Sequence, residues 1–302
     1  MRVQHPHRQR GDLLRPHHRP ELEIAASIRA PAVAGRFYPA DRAELDATVT
    51  TLLADARAAS STTPTAPVRA VIAPHAGYVY SGPTAAAVFA RATIPALVVM
   101  LAPNHTGVCD ADGGASLWES GAFRTPLGDV PVDAAFAADL RVASPLVGVD
   151  HAAHRAEHAI EVELPFLQIA RPDVRIVPLV LAWDGWDEAR SLGETLARLV
   201  RAAAEPVLLL ASSDLNHYES AAVAARKDAR ALEAVSALDG AELLRRCKRE
   251  GISMCGRAPA AVALAAARAL GAARADVVDY RHSGWVSGDN ARVVGYAGVV
   301  IP

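Results

Sequence analysis

This sequence predicts an α/β protein in which helices cover a mainly parallel central sheet. Three observations carry that reading. Short apolar runs rich in Val, Ile and Leu recur along the chain, Ala-rich helical stretches separate them, and the runs are nearly continuous rather than alternating. A strand that is apolar at every position has both faces buried, as a helix-covered parallel sheet requires.

The strand runs fall at residues 69–74, 96–103, 174–182, 206–212, 276–280 and 292–301, and most close on Pro, Ser, Asn or Gly. Helices are expected at 42–58, 83–91, 134–141, 158–170, 186–204, 220–249 and 259–270. Residues 122–133, with Pro126, Gly128 and Pro131, read as a hairpin or an irregular excursion, and 58–67 (AASSTTPTAP) as a surface loop. No internal repeat is present, and no linker is evident after residue 27. The expected organisation is a disordered extension over 1–26, rich in Arg, His and Pro, followed by a single domain over 27–302.

Composition narrows the function classes. The 302 residues are 51% hydrophobic and 21% charged, which suits a globular protein with a sizeable core. A formal net charge of -2 argues against a nucleic-acid or anionic-membrane partner. Three cysteines (Cys109, Cys247, Cys255) make no disulfide framework and fit a reducing, cytoplasmic compartment. The apolar runs are too short to span a bilayer, and residues 1–23 lack the apolar core of a secretory signal.

In an open α/β sheet, ligands bind beyond the carboxyl ends of the strands. Three predicted strands deliver a metal-competent side chain there: His75 in APHAGY, His105 in APNHTG, and Asp214 with His217 in SSDLNH. One such histidine is more often an ordinary loop residue; three at equivalent places favour a site. Pro74 and Pro103 stiffen the turns, while Gly77 and Gly107 allow close backbone approach. Cys255, in MCGRAP, precedes a helix near Arg257, so a favoured thiolate is expected there. Cys247 reads as a core residue, and Cys109 has less support than Cys255.

A competing motif is His154-Arg-Ala-Glu157-His158, the H-x-x-E-H pattern of one metalloprotease class. That chemistry needs both histidines on one helix face, whereas His154 is expected in an entry loop. His158 is expected to reach the strand-end pocket, and Glu161 and Glu163 to be solvated or partner-facing charges. Tyr78 and Tyr80 either line the pocket or pack over the turn.

The segments APHAGYVYSG, LAPNHTG, TPLGDVPVD, EHAIEVELPFL, SSDLNHY and CGRAP stand in the order seen in the Memo family, as do AGRFYP and the closing GYAGVVI. Over about residues 27–302 the chain resembles that family, which is similar to the LigB-type class III extradiol dioxygenases, non-heme iron enzymes. The resemblance implies an α/β fold with metal ligands at His75, His105 and Cys255. It places Asp214 and His217 beside them and His158 as a further pocket residue, so these three are the candidate catalytic groups. Cys255 stands where the dioxygenases carry a carboxylate, and a softer thiolate leaves iron or copper as the expected metal. The resemblance also implies a radical SAM enzyme and an AMMECR-type protein as partners. The leading expectation is a redox-active metalloprotein. An extradiol-type dioxygenase and a non-catalytic peptide or small-ligand binding module are the alternatives.

Overall fold

A computed structural model of the protein describes residues 27–60 and 68–302. The extension expected at 1–26 and most of the loop expected at 58–67 lie outside the described residues.

The chain enters through β1 (Ile28–Arg29), α1 (Arg42–Ala59), β2 (Ala70–Ala73), α2 (Tyr78–Phe89) and β3 (Leu97–Pro103). Short elements follow: β4 (Ala115–Leu117), β5 (Ala122–Thr125), β6 (Gly128–Pro131), α3 (Ala134–Ala143), β7 (Val147–Val149) and α4 (Ala152–Arg155). Then come α5 (Ala159–Ala170), β8 (Arg175–Leu181), α6 (Trp186–Ala202), β9 (Val207–Ser212) and β10 (His217–Glu219). The chain closes with α7 (Ala221–Ser236), α8 (Gly240–Glu250), α9 (Arg257–Ala269), β11 (Asp276–His282), α10 (Gly284–Ser287) and β12 (Val293–Ile301).

Nine strands form one sheet in the order β10-β12-β2-β9-β3-β8-β4-β7, with β11 also on β12. Its centre, β2-β9-β3-β8, is parallel, whereas β10, β11 and β2 all pair antiparallel with β12, and β4 pairs antiparallel with β8. The sheet is therefore mixed, which corrects the mainly parallel expectation. Buried strand sequence reports that both faces are covered, but it carries no information about strand direction. The predicted excursion at 122–133 is the β5–β6 hairpin, which joins β1 in a separate three-stranded sheet.

The continuous apolar character of the central strands has a direct structural cause. Alternate residues face opposite sides of the sheet. Ile72, Val99, Leu101, Leu209 and Ala211 pack with residues of α3, α6, α8 and α9. Val71, Ala73, Val98, Met100, Leu208 and Leu210 pack with residues of α1, α2 and α5 on the other face. Each face thus has its own core.

Two helix expectations change. The helix expected at 220–249 is α7 and α8, separated where Leu238 takes φ 54° and Asp239 caps α8 by accepting from Glu242 N at 2.8 Å. Helix α2 starts at Tyr78 rather than at Pro83, which lies inside it. No helix among the described residues is long and apolar enough to cross a membrane.

Candidate metal centre

The parallel centre of the sheet fixes where polar residues gather. Strands β2, β9 and β3 are adjacent and run the same way. The residues that follow them therefore share one end of the sheet: His75 after β2, His105 after β3, and Asp214 and His217 after β9. His158 reaches the same place from the start of α5. The rings of His75 and His105 are 5.1 Å apart, those of His75 and His158 5.4 Å, and those of His105 and His158 4.6 Å. One nitrogen from each lies within 4.8 Å of one from both others, close enough to share a metal ion.

Each ring is held from behind. His75 Nδ1 lies 2.8 Å from Ser212 Oγ, and the His75 backbone N–H donates to Asp214 Oδ1 at 2.9 Å. His105 Nδ1 lies 2.8 Å from Glu157 Oε1, and its backbone N–H donates to Glu157 Oε2 at 2.7 Å. The same Glu157 carboxylate accepts the backbone N–H of His158 and of Ala159. Phe37 packs edge-on against His158 with ring centres 4.9 Å apart. An imidazole whose Nδ1 is engaged by a fixed oxygen presents Nε2 to a metal.

Electrostatics sort the three rings. Burial drives His75 well below the usual histidine range, and a charge on His105, His158 or His217 would lower it further. Burial likewise lowers His158. Burial acts the same way on His105, but its hydrogen bond to Glu157 and the charges of Glu157 and Asp214 together outweigh it and raise the ring above the usual range. Neutral imidazole is the form that binds metal. Glu157→Gln is expected to weaken zinc(II) affinity about 10- to 100-fold with little loss of fold, since it weakens the hold on His105. Competition against a chromophoric chelator checks it, and an unchanged affinity would remove Glu157 from this role.

The structure corrects the ligand set. The cluster consists of His75, His105 and His158, so the His/His/Cys set expected from the sequence becomes His/His/His. Cys255 lies beside it, with Sγ 3.3 Å from His75 Nε2 and accepting from Asp214 N at 3.2 Å. The favoured thiolate is also overturned. Arg257 turns away to Asp184, at 2.7 Å and 3.1 Å, while burial and the neighbouring Asp214 push the Cys255 thiol well above its usual range. Gly256 makes this approach possible: a Cβ there would stand 2.2 Å from Ser212 O.

Asp214 and His217 join the same end of the sheet but are not part of the three-histidine cluster. Burial lifts the Asp214 carboxyl to about 7. His217 is half-buried, with its backbone N–H donating to Ser253 Oγ at 2.8 Å and its Nδ1 3.1 Å from Ser253 O. Tyr78 is buried and donates to Val162 O at 2.8 Å, and Tyr80 stays exposed. Cys247 is a core residue of α8, and Cys109 lies outside the cluster.

The H-x-x-E-H pattern breaks across two helices. His154 belongs to α4, is buried against Trp118 and Phe123, and its Nε2 faces Ser116 O at 2.9 Å. Glu161 and Glu163, expected as solvated charges, are fully buried. A signal for that was present: both interrupt the otherwise apolar run 159–167, the mark of a helix buried all round. Glu157 and Ser212 were missed as supports because only the fold brings them to their histidines.

Comparison with known proteins places these residues in context. The model of the Memo-like protein family matches residues 29–300. The chain belongs to the Memo-like family. A MEMO1 family protein of Methanopyrus kandleri is 39% identical over 285 residues, covering 90% of this chain and 98% of that protein. One from Aquifex aeolicus is 38% identical over 274 residues, covering 90% and 98%, and one from Thermotoga neapolitana 39% over 287, covering 91% and 99%. The match to the Memo-like family takes in all the cluster residues and the Glu157 and Ser212 that hold them.

Proposed function

We propose that this Memo-family protein binds one transition-metal ion, iron or copper, on His75, His105 and His158, with the Cys255 thiol at the edge of the site. The convergence of three ring nitrogens within 4.8 Å carries this reading. The donor set fits such an ion: imidazole suits iron, copper and zinc, and Ser212 and Glu157 leave the Nε2 atoms of His75 and His105 for it. When bound, the ion would supply Lewis acidity and one-electron chemistry.

The chain's own groups supply the rest. Asp214, lifted to about 7, is poised to accept a proton near neutral pH. His217 is kept neutral by burial and is a second acceptor. A cleft of about 360 Å³ lined by Asn104, Trp183, Asp184, Cys255 and Arg257 gives a small molecule an approach on the thiol side.

The test is metal content of untagged protein after separate anaerobic loading with iron(II), copper(I) and zinc(II). Near-stoichiometric retention of iron or copper is expected; a protein that retains neither would sink the proposal. The likeness to LigB-type enzymes supports a finer reading, an extradiol-type dioxygenase acting on a catechol with His217 as base, since His158 is taken up by the metal. Oxygen uptake by the ferrous protein with catechols, lost in His217→Ala, is its expected signature. Silence from a metal-loaded protein would leave the metal centre and remove the dioxygenase. Family membership also supports a cytoplasmic protein working with a radical SAM enzyme and an AMMECR-type protein, which co-purification from cells would check.

A further inference from the structure

Behind His75 lies a carboxyl that the proposed chemistry does not use. Glu163 sits on α5 among core residues such as Val162, Leu164 and Phe166, and is fully buried. Its Oε1 accepts from Ser212 Oγ at 3.1 Å, while its Oε2 has no hydrogen-bond partner among the described residues. The same Ser212 hydroxyl is 2.8 Å from His75 Nδ1 and 3.2 Å from Ala159 O. Burial pushes the Glu163 carboxyl well above the usual range.

The fold alone gives little reason for an acid here. The Ser212 hydroxyl already has the Ala159 carbonyl to donate to, so the contact of α5 with β9 is complete without Glu163. An apolar side chain would fill the same core without an unpartnered oxygen, which is a cost. The group that gains from the carboxyl is the hydroxyl in front of His75. With two acceptors on its far side, that hydroxyl directs its proton away from the ring. It then offers a lone pair to Nδ1–H, which leaves Nε2 unprotonated. Glu157 does the same for His105 without an intermediary. The two acids lie at either end of residues 157–163, the stretch that also carries His158.

We infer that Glu163 is a positioning residue for His75, acting through Ser212 Oγ to fix the ring and present its Nε2 to the metal. This rests on the metal-centre reading above. The experiment compares wild type with Glu163→Leu, Glu163→Gln, Ser212→Ala and the Glu163→Leu, Ser212→Ala double variant. The readouts are zinc(II) affinity by chelator competition, cobalt(II) absorption, the imidazole ¹⁵N shifts of His75 in metal-free protein, and thermal unfolding of that protein.

Glu163→Leu is expected to lower zinc(II) affinity about 10- to 100-fold, the range found when a group supporting a ligand is removed. It should also alter the cobalt spectrum and the His75 shifts while leaving the unfolding temperature unchanged or higher. Glu163→Gln, which keeps an acceptor, should recover most of the affinity. Ser212→Ala should lose at least as much as Glu163→Leu, because the Ala159 carbonyl still holds the hydroxyl in the latter, and the double variant should lose no more than Ser212→Ala. Affinity and ¹⁵N shifts equal to wild type in Glu163→Leu would overturn the inference, as would losses that add. If Glu163→Leu fails to fold, Glu163→Met, which also removes the acceptor, decides by the same readouts, and affinity and ¹⁵N shifts equal to wild type overturn it. A wild type that binds no zinc(II), cobalt(II) or other metal ends the metal-centre reading, while the ¹⁵N comparison still decides whether Glu163 acts on His75.

Discussion

His75→Ala is expected to lower affinity for the bound metal by more than about 100-fold, some 2.7 kcal/mol, whereas Cys255→Ser stays within about tenfold of wild type. His75 sits at the centre of the arrangement: its ring faces both His105 and His158, and Ser212 and Asp214 fix its ring and backbone. Removing it leaves His105 and His158 alone. Cys255 contributes differently. Its thiol is held neutral by burial and by Asp214, so it has to lose a proton before it can bind a metal as thiolate. Zinc(II) and iron(II) titrations of the two variants check this. Equal losses would restore Cys255 to the ligand set, and a His75→Ala protein that binds as wild type does would abolish the cluster.

The largest effect on stability is expected at Glu161. This buried carboxylate on α5 pairs with Arg29 and accepts from Ala32 N at 2.7 Å, Val33 N at 3.0 Å and Tyr38 Oη at 2.5 Å. Arg29 also donates to the carbonyls of His154 and Glu157. One side chain thus fastens residues 29–38 to the stretch that carries His158. Glu161→Ala leaves the Arg29 guanidinium buried without its counter-charge, and breaking a buried pair in this way costs about 3–5 kcal/mol. Urea denaturation measures the loss, and proteolysis within residues 29–38 should accelerate with it. A loss below about 1 kcal/mol would show that this network contributes little net stability.

The two predictions bear on the part of the site that the sequence expressed least. His75, His105, Asp214 and His217 were legible because each follows a short apolar run that reads as a buried strand, and the parallel pairing of β2, β9 and β3 brings those ends together. His158 was legible as a pocket residue, but its place among the ligands was not, because it depends on how α5 lies across the strand ends. Cys255 misled for a related reason. Its position before a helix and near Arg257 suggested a thiolate, but Arg257 turns to Asp184 and the sulfur is packed against Asp214 and His75. Glu161 and Glu163 misled because an acid is ordinarily exposed, and only the packing of α5 shows that Arg29 and Ser212 meet them.

What the sequence determined by itself is therefore the strand-and-helix alternation, the buried character of the central strands and the polar residues that stand where three of those strands end. All of these follow from local pattern: the side-chain period of a strand and the identity of the residue that ends it. The tertiary structure decided the directions of β4, β10, β11 and β12, the third histidine of the cluster, and the carboxylates behind the rings. Those depend on groups far apart in sequence, such as Glu157 with His105 and Ser212 with His75, and on burial, which alone sets whether an acid, a thiol or an imidazole is charged.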